Sequence, residues 1–216
     1  MLPLYVDVSG KRIVVFGGGE VAERKIRQIL ETSGEGKGRD VEVYSLDFTP
    51  WIKEKWEKKV IQCFQRDLWD QNLGELMEGA FLILVCTDDE TLNERIMKEA
   101  ANSDALINYR DKGDAFMSSV VNKGGFLISI STGGKGPAMA RYMKGKISPL
   151  LGDKEEKMLL IQSNLRRYLK EDIKEEPRRR QILNRVLNDP ECWAALDAPV
   201  EVAEKIIFKL VGDKYA

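Results

Sequence analysis

VVFGGGEVAERK, residues 14–25, joins a run of β-formers to a charged helical start through three consecutive glycines. Residues 11–16 form a short apolar run ending on glycine, as a buried parallel strand does. A helix should follow, with Val21, Ile26, Ile29 and Leu30 on its apolar face and Glu23, Arg24, Lys25 and Arg27 solvated. The junction fits G-x-G-x-x-A, a pattern that discriminates only where a strand precedes it and a helix follows. In that setting Gly17 permits the tight turn, Gly19 lets the backbone approach a pyrophosphate, and Ala22 allows close helix-to-strand contact. The helix N-terminus adds exposed amides and partial positive charge for the phosphates.

Working outward, residues 33–38 read as a flexible glycine-rich loop, and Val41 to Ser45 restore strand alternation. This completes one βαβ unit. An acidic residue about twenty positions beyond the glycines binds the adenosine ribose in such units. Asp40 has that spacing but precedes the second strand, whereas Asp47 follows it, the glycine-rich insertion accounting for the extra length. An acid there favours NAD over NADP, because a 2′-phosphate would meet negative charge with no nearby arginine to offset it.

The rhythm continues with a strand over 60–64, a helical turn over 73–77 and a fully buried strand over 81–86. A helix through Leu92, Ile96 and Ala100 follows, with Asp88 or Asp89 placed to cap it, and a strand over 105–108. Alternating strands and helices predict an α/β fold with an N-terminal doubly wound, Rossmann-like parallel sheet. After residue 111 the texture changes. Strands over 117–121 and 126–131 flank a hairpin-like connection, and a helix runs from Pro137 to about Lys146. Residues 154–212 read as helices with faces marked by Met158, Ile161, Leu165 and Leu169, then Ile182, Val186 and Leu187, then Val202, Ile206 and Leu210. Pro177 and Pro199 stand where first-turn prolines belong. The expected organisation is a nucleotide-binding domain over 1–113, a small α+β dimerisation and ligand region over 114–150, and a helical tail over 151–216.

Composition narrows the classes of function. The 216 residues carry 34 basic and 35 acidic side chains, a net charge of −1, so no global field recruits nucleic acid or an anionic membrane. No apolar run approaches a membrane span and the first residues lack the layout of a signal peptide, so a cytoplasmic protein is expected. Cys63, Cys86 and Cys192 lie far apart, matching neither a disulfide framework nor a zinc spacing, and they read as core thiols. There is no histidine, which removes the commonest general base and transition-metal ligand. No resident metal is expected, and proton transfer falls to Asp, Glu, Lys, Tyr or Cys.

Three loops after predicted strands would share the carboxyl edge of the sheet, where ligands bind. They are Thr87-Asp88-Asp89, Asn108 to Asp111, and Ser129 to Gly134. Tyr142 and Lys146 have the Y-x-x-x-K spacing of short-chain dehydrogenases, with Ser129 upstream. The glycine pattern of those enzymes differs, however, and one turn of an amphipathic helix is the expected meaning.

"GGGEVAERK", "CTDDETLNERI", "INYRD" and "ISISTGGKGPAMARYMKGKI" occur in order and at suitable spacing, and together they resemble the precorrin-2 dehydrogenase family. That family includes the N-terminal module of siroheme synthase. The similarity runs over about residues 2–150, and "EEPRRRQILNRVL" is similar to the family's helical tail. The resemblance implies NAD-dependent oxidation of precorrin-2 to sirohydrochlorin, followed in some members by ferrous iron insertion to give siroheme. It implies that Glu20, Val21, Leu46 and Asp47 touch NAD. Asp111 ends the family's N-x-x-D stretch and is implied as the catalytic residue, while Ser131, Thr132, Gly133 and Gly134 match the S-S-G-G loop implied to meet the tetrapyrrole.

The chemistry agrees. A tetrapyrrole polycarboxylate calls for amides, hydroxyls and local cations, and Lys135, Arg141 and Lys144 follow the glycine pair. Hydride transfer also releases a ring proton, a task for a carboxylate where histidine is lacking. Two departures, Thr132 for the second serine and Ser118 for a common proline, bear on the tetrapyrrole pocket. A homodimer is expected, built on 114–150 and the tail. Two other classes stand beside this reading: an NAD-sensing regulatory module without turnover, and a short-chain reductase using Tyr142 and Lys146. The only basic run, Arg178 to Arg180, reads as a solvated helix start rather than a recognition helix.

Overall fold

Strand β1, Ile13–Phe16, is buried along its whole length, as a strand with helices on both faces must be. It sits at the centre of five parallel strands in the order β3-β2-β1-β4-β5, where β2 is Val41–Ser45, β3 Gln62–Gln65, β4 Leu82–Val85 and β5 Leu106–Asn108. The coordinates are a computed structural model, and the structure describes residues 2–33, 40–110 and 112–214. The expected strands are all present with ends shifted by up to two residues, a difference set by where ladder bonds begin. The glycine-rich loop lies outside the described residues.

Because side chains alternate along a strand, the sheet has two apolar faces. On one, Ile13, Val15, Val43 and Leu84 pack with Ala22, Ile26 and Ile29 of α1, Glu20–Ser33, and with Ile52 of α2, Pro50–Glu57. On the other, Val14, Phe16, Tyr44, Ile83 and Val85 pack with Leu73 and Met77 of α3, Leu73–Met77, and with Leu92, Ile96 and Ala100 of α4, Glu90–Ala100. Each fully buried branched side chain stabilises the sandwich by about 1.5–3 kcal/mol relative to exposure. Val21 is 42% exposed, a correction to its expected place on the apolar face; the buried stripe of α1 is Ala22, Ile26 and Ile29, one residue round.

Below the sheet, Arg12 bridges to Glu42 at 2.6 Å and donates to the carbonyls of Leu76 and Glu78. Burial opposes ionisation of Glu42, but hydrogen bonds from Arg12 and Tyr44 outweigh it and hold the carboxyl below its ordinary range. Burial, with the bond to Glu42, pushes the Tyr44 hydroxyl up to about 12.

The chain divides into two compact units, residues 1–120 with 130–140, and 121–129 with 141–216, so it passes between them three times. The crossings fall within β6, Ser119–Lys123, and β7, Phe126–Ile130, which form a two-stranded antiparallel sheet, and within α5, Pro137–Ile147. In the second unit α6, Asp153–Asp172, α7, Glu176–Asn188, α8, Pro190–Ala195, and α9, Val200–Lys214, enclose a separate core. Met158, Ile161, Leu165, Leu169, Ile182 and Val186 are buried there as expected. Leu187, Val202 and Ile206 are exposed instead, and α9 buries Ala203, Ile207 and Val211. Pro177 is in the first turn of α7, whereas Pro199 stands one residue ahead of α9 and accepts from Val202 and Ala203.

Candidate functional site

The site is built where the strand order reverses, between the carboxyl ends of β1 and β4, the place at which open parallel sheets bind ligands. Gly17 has φ +106°, and a Cβ there would lie 2.7 Å from the carbonyl of Cys86 and 2.9 Å from the Thr87 nitrogen. Only glycine fits both the turn and the approach. Gly18, the residue that the pattern leaves free, is as constrained. A Cβ on it would lie 2.2 Å from the Asp47 oxygen, and its own carbonyl accepts from Thr49 at 2.9 Å. Around Gly19 there is open space, and Glu20 at the start of α1 is exposed. The turn is thus wedged between the loops after β2 and β4 with its third glycine facing outward.

Those loops carry the expected partners. Leu46 and Asp47 are exposed, immediately after β2, and Asp40 lies at the other end of that strand, its carbonyl bonded to Ile13. Thr87 is held by buried Asn93, which accepts from its hydroxyl at 2.7 Å and donates to its carbonyl at 3.0 Å. The Thr87 hydroxyl is committed inward, so a cofactor contact there falls to its backbone. Asp88 is exposed, and Asp89 is the cap of α4, accepting from Thr91 and Leu92 at 2.9 and 3.1 Å.

The segment after β3 closes this edge, and the sequence reading missed it. Gln65 donates to the Leu46 carbonyl at 2.9 Å, and the half-exposed Trp69 indole donates to Asp89 at 3.2 Å. Arg95 fastens the segment through the carbonyls of Leu68, Trp69 and Gln71. Arg66 is exposed here and its amide donates to Ser45 at 3.0 Å, which corrects the expectation that no arginine lies near the end of β2. Its pairing is between parallel neighbours, a signal invisible along the chain.

Asp111 lies outside the described residues. Its neighbours are well fixed: buried Tyr109 donates to Glu90 at 3.2 Å, and Arg110 pairs with the same carboxylate at 2.8 Å. These bonds, that from Arg110 first, hold Glu90 below the ordinary carboxylate range. In the tetrapyrrole candidate loop Ser131, Gly133, Gly134 and Lys135 are exposed. Thr132 closes it, accepting from Gly136 through its hydroxyl at 3.1 Å and from Lys135 through its carbonyl at 3.2 Å. A serine hydroxyl would close it in the same way, so this departure leaves the loop's frame unchanged. Arg141 is exposed in the second unit. There too the Lys146 ammonium lies over the Tyr142 ring, 5.6 Å from its centroid, and Tyr142 is 56% exposed, as on an amphipathic helix. Two open concavities elsewhere, one along α7 and one beside β3, contain none of the candidate residues.

Residues 4–119 match the family described as "Putative NAD(P)-binding". Precorrin-2 dehydrogenase of Methanosarcina barkeri is 34% identical over 215 residues, covering 98% of this chain and 93% of that protein. The chain belongs to the precorrin-2 dehydrogenase family. Siroheme synthase of Photorhabdus laumondii is 25% identical over 207 residues, and the chain spans only 42% of its length. The solved structure of SirC, precorrin-2 dehydrogenase, superposes with a TM-score of 0.73 at 19% identity, covering 99% of this chain and all of that one, a likeness of fold. A nicotinamide cofactor follows for this member of the family. No helix among the described residues is long and apolar enough to cross a membrane.

Proposed function

We propose that the protein oxidises precorrin-2 to sirohydrochlorin with NAD, in siroheme biosynthesis. One observation carries the reading. In a chain with this family membership, the glycine turn is packed against the loops of Asp47 and Thr87 so closely that both contacts exclude a side chain. When bound, NAD supplies the hydride acceptor. The chain's own part is to hold the dinucleotide through the amides of Gly19, Glu20 and Val21 and the loops of Leu46, Asp47, Thr87 and Asp88, and to present the substrate to it.

The tetrapyrrole carboxylates fit the exposed loop of Ser131, Thr132, Gly133, Gly134 and Lys135, with Arg141 as a further cation. As hydride leaves the substrate, Asp111 takes the ring proton, so precorrin-2 loses one hydride and one proton in all. Asp47 supports NAD over NADP by repelling a 2′-phosphate, against the pull of Arg66. Three buried free thiols support a reducing, cytoplasmic setting.

The architecture supports a homodimer. An isolated two-stranded sheet needs its edges covered, and Leu127, Leu150, Leu159 and Leu160 are exposed in the same unit. Ferrous iron insertion is expected to be weak. With no histidine, and no cluster of three metal-ligating side chains among the described residues, the macrocycle must supply most iron ligands.

The deciding experiment is Asp111→Asn, which keeps shape and removes basicity. It should bind NAD normally and form sirohydrochlorin about a hundredfold more slowly. Full activity in that variant would remove Asp111 as the base; no sirohydrochlorin from wild-type protein, NAD and precorrin-2 would end the reading and favour a sensor without turnover.

A further inference from the structure

Trp69 is 45% exposed, yet both its backbone and its ring are fixed. Its amide donates to the Asp67 carboxylate at 3.0 Å and its carbonyl accepts from Arg95 at 2.9 Å, while Leu68 beside it is buried in the core of the sheet. The indole nitrogen donates to Oδ2 of Asp89 at 3.2 Å, the other oxygen of that carboxylate serving as the cap of α4. The Arg95 guanidinium lies over the ring, 5.7 Å from its centroid. A large apolar ring left half in water gives up much of what its burial would contribute to folding. One that is already held in a single orientation, however, loses little further freedom when a ligand arrives.

The contacts of this segment close a circuit at the carboxyl edge of the sheet. Gly18 is pressed on the Asp47 carbonyl, Gln65 reaches the Leu46 carbonyl at 2.9 Å, and the Arg66 amide reaches that of Ser45 at 3.0 Å. The chain then leads to Trp69 and across to Asp89, whose carbonyl accepts from the Thr87 hydroxyl at 3.2 Å. The Thr87 nitrogen in turn stands 2.9 Å from where a Cβ on Gly17 would lie, which returns the circuit to the glycine turn. Neighbouring strands are about 4.8 Å apart. A dinucleotide with its pyrophosphate at the end of β1 and its ribose at Asp47, past β2, therefore brings its adenine one strand further, to the segment that follows β3. Trp69 is the one aromatic residue between that strand and α3.

We propose that the indole of Trp69 is the platform on which the adenine ring of the cofactor stacks, held in place by Asp89 and Arg95. The proposal rests on the reading that the glycine turn holds a dinucleotide. It is independent of the choice between NAD and NADP, since both carry adenine. An aromatic face binds a base through its π-surface, without hydrogen bonds to the base edges. Asp89 then has two tasks: it caps α4 and fixes the ring, so the loop after β4 and the segment after β3 act on the same end of the cofactor.

The test is to titrate the wild type, Trp69→Ala and Trp69→Phe with NAD, with ADP-ribose, and with nicotinamide mononucleotide, which lacks adenine. Trp69→Ala should bind NAD and ADP-ribose about tenfold more weakly and the mononucleotide as the wild type does. Trp69→Phe keeps a ring but has no N–H for Asp89, and should keep most of the affinity. Because adenine stacks on this indole, NAD should quench tryptophan fluorescence in the wild type and not in Trp69→Phe. Unchanged NAD affinity in Trp69→Ala overturns the proposal. So do equal losses in the two variants, which would make the bond to Asp89 the feature that counts, and a loss that extends to the mononucleotide with a fall in melting temperature, which would make Trp69 a structural brace. Should Trp69→Ala fail to fold, the fluorescence of Trp69→Phe decides: quenching as in the wild type removes the platform. Wild-type protein that binds neither NAD nor NADP would end the reading of the glycine turn and the platform with it, whereas normal binding in Trp69→Ala removes the platform and leaves the turn.

Discussion

The parallel-sheet unit and the helical unit spend their residues differently. At the carboxyl edge of the sheet the specialised element is backbone: Gly17 and Gly18 are fixed by approaches that exclude a side chain, while Leu46, Asp47 and Asp88 stand exposed on the loops around them. In the helical unit the backbone is regular and the specialisation lies in which apolar side chains are buried. Ala203, Ile207 and Val211 fill the core while Val202 and Ile206, one position earlier, face outward. The candidate site and the helical core therefore draw on separate residues, and substitutions should affect one without the other.

The largest effect that would break this separation is in α9. Ile207→Ala should destabilise the helical unit by about 2–5 kcal/mol in denaturant unfolding, whereas Ile206→Ala should cost well under half of that. NAD affinity should be unchanged in both. Equal losses would mean that the outward stripe is core after all, or covered by a partner.

A smaller effect belongs to the amino end of the sheet. The carboxyl of Glu42 is held below its ordinary value of 4.5, so the pair with Arg12 contributes stability that is fully present above that pH and is lost as pH falls through the lowered folded value. Glu42→Gln should remove about 2 kcal/mol at neutral pH, in the range of hydrogen bonds to charged groups. Its stability should also change less than the wild type's between pH 5 and pH 3. Parallel pH curves for the two proteins would contradict the assignment.

The smallest effect sharpens the edge itself. Asp47→Ala should reduce the preference for NAD over NADP by about tenfold, roughly 1.4 kcal/mol, leaving melting unchanged. Arg66→Ala in that background should restore part of the preference. An unchanged cofactor ratio in Asp47→Ala would show that the acid plays no part in selection.

Much of this was legible along the chain because strands and glycines act locally. The five parallel strands, the G-x-G-x-x-A turn, the placement of Asp47 after β2 and the choice of Asp88 or Asp89 as cap all follow from neighbours in sequence. Helix α2 went unread although Thr49 and Pro50 announce it, a cap accepting from Ile52 at 3.3 Å and a first-turn proline. In α9 two apolar stripes run side by side, 202/206/210 and 203/207/211, and periodicity cannot choose between them; only the packing of α6 and α8 does. The pattern treats the middle glycine as free, but what forbids a side chain there is the Asp47 carbonyl, 29 residues away in sequence. Arg66 and Trp69 acquire their meaning from chain returns of the same non-local kind.

The three passages of the chain between its two units bear on how the gene could be cut or joined. No single break separates them, since residues 130–140 belong with the first unit and residues 121–129 with the second. A fragment stopping at 113 or 120 lacks part of what completes its own fold, and one beginning at 151 lacks the strand pair packed with α6, where Gly125 would bring a Cβ within 2.9 Å of Leu159. A fusion partner is better accepted at either end than at any internal boundary, and a protease nick in the connection between α5 and α6 would fall inside the second unit, leaving residues 121–129 and 141–147 joined to the later helices by packing alone.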